Sequence, residues 1–88
     1  MSIAGDPPAP ARADIETLMA FDPLGGLAGL EDHLMAMKDQ AATLGYRFDR
    51  HDVRNELQAA TFRLREARAV RLLLSPTGAV AIEISPPR

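Results

Sequence analysis

"AVRLLLSPTGAVAIEIS", residues 69–85, decides the fold. Its centre, Pro76-Thr77-Gly78, has the composition of a three-residue hairpin loop with glycine in the left-handed position. With that loop, Ser75 faces Ala79, Leu74 meets Val80, Leu72 meets Ile82 and Val70 meets Ile84. All the apolar pairs then fall on one face. Arg71 meets Glu83 on the other, an opposite-charge pair worth about 0.2–1 kcal/mol. One register satisfies turn, core and charges together, so the stretch predicts an antiparallel hairpin.

Working back from the hairpin, "DRHDVRNELQAA" (49–60) reads as a helix. Asp49 is a good N-cap, and Phe48 and Val53 have the spacing of a hydrophobic staple. The apolar stripe is Val53, Leu57, Ala60 and Leu64, which predicts a helix end near residues 65–67. Phe62 lies nearly opposite that stripe. An earlier helix carries Leu30, Leu34, Met37, Ala41 and Leu44 at helical spacing. Glu31 and Asp32 sit in its first turn, where the dipole favours acid, and Gly45 suits its left-handed end. "DIETLMAF" (14–21) alternates, placing Ile15, Thr17, Met19 and Phe21 on one face. "DPLGG" (22–26) turns it, and a short returning strand is expected at 27–30. The predicted order is β-(β)-α-α-β-β: an α+β domain, an antiparallel sheet with two helices packed on one face.

The 88 residues make one small domain, and folding buries only about 60% of the surface of so short a chain. Residues 1–13, rich in proline and small residues, read as a flexible tail or linker, residues 14–85 as the lobe, and 86–88 as a tail. A net charge of −2 gives no nucleic-acid or anionic-membrane footprint. The absence of cysteine removes disulfides, thiolate zinc sites and cysteine nucleophiles. No apolar run approaches the roughly 20 residues that span a bilayer. A basic n-region followed by an apolar stretch is also missing, so a cytoplasmic protein is expected.

Chemistry-bearing residues are few. His33 and His51 read as solvated, and Glu31 with His33 makes a poor metal pair because two positions apart on a helix face differently. Lys38 is the only lysine and reads as exposed. Ser75 and Ser85 flank strand ends as turn residues. Met19, Met35 and Met37 read as core filler. Arg63, Arg65, Arg68 and Arg71 span a helix end and a strand start, so they need not form one patch. The residues alone point to no catalytic group and no metal site. Phe62 and Leu73 point away from the expected core and mark a possible interaction surface.

Three stretches carry a resemblance: "IETLMAF" (15–21), "LEDHLMAMKDQAATLGYRFD" (30–49) and "VRLLLSPTGAVAIEISP" (70–86). In this order the segment resembles the small N-terminal lobe of fold-type IV pyridoxal-phosphate enzymes. These are the class-IV aminotransferases, in particular aminodeoxychorismate lyase, as in bifunctional para-aminobenzoate synthases of folate biosynthesis. The resemblance implies a lobe or remnant of such an enzyme, with pyridoxal phosphate bound between lobes in the full-length family. It also implies an arginine for the cofactor phosphate three positions after the histidine. Here the histidine is His33 and that position is Ala36, which has no donor. A basic residue often follows the family's Glu-Thr-Leu, where this chain has Met19. The family's Schiff-base lysine belongs to the second lobe. The expectation is a chain with no catalytic or cofactor-binding residue and no cofactor of its own, partnered by a missing second lobe or a separate protein. The alternative is a non-enzymatic interaction module that self-associates as a homodimer or docks on a separate partner, without nucleic acid or membrane.

Overall fold

A computed structural model describes residues 13–87. The elements are β1 (Ile15–Asp22), β2 (Gly26–Leu27), α1 (Leu30–Leu44), α2 (Arg50–Thr61), β3 (Arg68–Leu74) and β4 (Val80–Ser85). They form the expected α+β domain, with one antiparallel sheet in the order β2-β1-β3-β4. The predicted tail at 1–13 lies outside the described residues except for Ala13, whose carbonyl accepts the Tyr46 hydroxyl at 2.7 Å.

The β3–β4 hairpin has the register read from its residues, with Leu74 opposite Val80, Leu72 opposite Ile82, Arg71 opposite Glu83 and Val70 opposite Ile84. Gly78 takes φ +93°, and the Ser75 N–H donates to the Ala79 carbonyl at 2.9 Å. Ser75 also works as a turn residue, its Oγ accepting the Ala79 N–H. β1 lies between β2 and β3, pairing Ile15 with Leu74 and Phe21 with Arg68. That pairing puts Ile15, Met19 and Phe21 on the side of Val70, Leu72 and Leu74, all buried. Leu34, Met37 and Ala41 of α1 and Val53 and Leu57 of α2 close the core over that face.

Several expectations are corrected. The returning strand is Gly26–Leu27 rather than 27–30, because Leu30 already begins α1. Leu44 and Met35 are exposed, so the α1 stripe closes on Ala41 and the methionine filler is Met19 and Met37. α2 ends at Thr61, short of 65–67. Thr61 is buried and its hydroxyl donates to the Leu57 carbonyl at 2.8 Å, while the Leu64 N–H turns back to the Thr61 carbonyl at 3.1 Å. Leu64 therefore reaches the core from a turn and not from the helix stripe.

Candidate functional site

The β1–α1 groove brings His33, and the Ala36 position marked by the resemblance, beside Thr17 of β1. Alternation on β1 turns Thr17 toward the helices. His33 sits on the first turn-and-a-half of α1, whose start is set by Gly29 at φ +64° accepting the His33 N–H. The Thr17 hydroxyl and His33 Nδ1 share a hydrogen bond of 2.7 Å, the histidine tautomer deciding which donates. This corrects the reading of His33 as a solvated residue: it is half-buried and tied to the sheet. His51 is exposed, as expected, and so is Lys38.

A hollow of about 40 Å³ opens beside this pair, lined by Ile15, Glu16, Thr17, His33, Ala36, Met37 and Gln40. Ala36 thus lies beside the threonine of the Glu-Thr pair. The volume suits about one water molecule and falls far below the roughly 300–1,000 Å³ of small-molecule sites. No lysine or arginine lines it, and Glu16 does. A pyridine ring with a dianionic phosphate does not fit this donor set or this space. No group of three His, Asp or Glu side chains among the described residues could hold a metal ion.

Above the helix-free face, Arg71 lies between two carboxylates, 3.5 Å from Glu16 and 3.4 Å from Glu83. Strand alternation puts Leu18, Ala20, Leu73 and Ala81 around this trio. Leu73 is only half-buried there, on the face away from the helices. Phe62 follows α2 and is 81% exposed. The structure does not bring Phe62 and Leu73 to one surface element: one ends a helix and the other is in the sheet. The arginines are divided in the same way. Arg63 and Arg65 are exposed after α2, Arg68 bonds Glu66 at 3.1 Å, and Arg71 belongs to the sheet trio.

One electrostatic pair spans the two helices. Arg54 of α2 donates through Nε and a terminal nitrogen to both carboxylate oxygens of Glu31 on α1, at 3.0 and 2.9 Å. These hydrogen bonds hold the Glu31 carboxyl below its usual range. The sequence gives no local signal for this pair, because its members lie on different helices. No helix of the described residues is long and apolar enough to cross a membrane.

No family model matches the chain, and no curated protein does. A solved structure does: a candidate amino-acid aminotransferase from Mesorhizobium loti superposes with a TM-score of 0.78 at 24% identity, covering 85% of this chain and 36% of that one. The chain therefore spans little more than a third of that neighbour's length, and what the two share is the fold.

Proposed function

We propose that the chain is the small lobe, or a remnant of it, of a class-IV aminotransferase-like enzyme of the aminodeoxychorismate-lyase type, and that it does no chemistry alone. The observation that carries this reading is the superposition of almost the whole described fold on about a third of an amino-acid aminotransferase candidate. The residues of the β1–α1 groove agree with the second half of the reading. Thr17 and His33 hold the groove together, while Ala36 leaves it without a cation for a phosphate. The partner in this reading is a lysine-bearing second lobe, and the setting is cytoplasmic para-aminobenzoate and folate synthesis.

Two measurements test it. Pyridoxal phosphate added to the chain should give no internal-aldimine absorbance and no turnover of aminodeoxychorismate. A stoichiometric aldimine at Lys38, or turnover, overturns the reading. If the groove descends from a phosphate site, Ala36→Arg should bring shifts in the NMR signals of Thr17 and His33 when inorganic phosphate is titrated in, against none in the parent chain. Identical titrations of parent and variant count against descent. The second reading, a non-enzymatic interaction module, is favoured by the exposure of Phe62 at 81% and of Leu24 at 97%.

A further inference from the structure

The two edges of the sheet differ. The β2 edge is two residues long and begins at Gly26 with φ +77°, which leaves little backbone for another strand. The β4 edge, Val80–Ser85, is six residues long and is the outermost strand among the described residues. Three of the usual guards are absent from it: it has no lysine, no proline within the strand and no break in its ladder to β3. Its one charge, Glu83, is already held by Arg71 of the neighbouring strand.

Which backbone groups point outward follows from the ladder. Ser75 and Ala79 form a hydrogen-bonded pair. Such pairs alternate along an antiparallel ladder, so residues 81, 83 and 85 bond inward to β3. Val80, Ile82 and Ile84 therefore direct their N–H and C=O groups away from the sheet. Ile84 is 38% exposed, and Val80 and Ile82 are half-buried on the helix side.

We propose that this edge pairs with the same edge of a second copy of the chain, antiparallel about Ile82, so that two sheets become one. In this register Ile82 faces its own counterpart, and Val80 and Ile84 face each other twice. Every outward-pointing strand residue finds a hydrogen-bonding partner, and the apolar face of one copy runs on into that of the other. Glu83 falls opposite Ala81 of the second copy. The neighbouring registers are worse. Centring on Glu83 sets two carboxylates directly opposite. Centring on Ile84 puts Pro86, which has no N–H, against Ile82. Centring on Ala81 puts Gly78 of the turn against Ile84 and loses that pair. The inference stands apart from the aminotransferase reading, since it rests on the edge alone.

Ala81 decides it, because it is exposed in the single chain and opposes only Leu73 within it. Sedimentation over a concentration series should show dimerisation of the parent. Ala81→Lys adds two attractive contacts to Glu83 across the symmetric interface, and Ala81→Glu adds two repulsive ones. The dissociation constant should fall for the first and rise for the second, each by about tenfold. Phe62→Ser should leave it unchanged, with circular dichroism confirming that all three variants fold. A parent that stays monomeric up to about 1 mM overturns the proposal. So does a dimer indifferent to both Ala81 changes, or one lost in Phe62→Ser.

Discussion

Gly78 stands at φ +93°, and a Cβ there would come 2.9 Å from the Arg47 Cβ. Two costs coincide: a left-handed backbone that L-residues resist, and a contact with the chain between the helices. Gly78→Ala should lower stability by about 1–2 kcal/mol from the backbone alone, read as a drop in the urea midpoint. An unchanged midpoint would mean that the turn is free to re-form. At Thr17 the cost is a hydrogen bond. Thr17→Val keeps the shape of the side chain and leaves His33 without its partner, which should cost about 1 kcal/mol. The glycine was legible in the sequence because turn chemistry is local. The Thr17–His33 bond was not, since it joins residues 16 apart that meet only when α1 lies on β1. Ala36 was singled out by resemblance, and the sequence had no means of saying how small the hollow beside it is.

Helix starts and helix ends differ in how local their causes are. Asp49 caps α2 through its own side chain, accepting the N–H groups of His51 and Asp52 at 3.0 and 3.1 Å. Asp49→Ala should cost about 1 kcal/mol, measurable in a thermal or urea melt. The end of α2 has no such signature. Residues 62–65 continue a plausible helical pattern, and the helix stops at Thr61, which is buried and has the next turn folded back onto its carbonyl. Tertiary packing overrides the periodicity. The Glu31–Arg54 pair is the other element-scale feature. Its carboxyl is held below the ordinary range in the folded chain, so the pair stabilises the fold above that range. The contribution disappears as pH falls through the lowered value. Glu31→Gln should therefore be less stable than the parent near neutral pH. The gap should close on acidification, and should narrow in high salt because the pair is exposed. A gap constant with pH would assign the effect to packing.

For the molecule as a whole, β3 is the central fact. It is flanked by β1 and β4, and Val70, Leu72 and Leu74 are fully covered. Leu72→Ala removes side-chain volume from a fully buried position, at a cost of about 2–5 kcal/mol. That is comparable to the total stability of a domain this small, so the variant should lose its cooperative melt. The architecture was readable because hairpin, caps and alternation agree on one arrangement. What the sequence did not provide was the placement of β1 next to β3, which no local pattern encodes.

That placement has a kinetic corollary. The ladder running from Ile15 beside Leu74 to Phe21 beside Arg68 joins the first strand of the sheet to the third in chain order, and both helices lie in the loop between them. A contact so distant in sequence demands a large loop closure before it returns any stabilisation. The hairpin of β3 and β4 and the two helices are local and can form within microseconds. β1 must then find an edge already made, so its docking should govern the refolding rate.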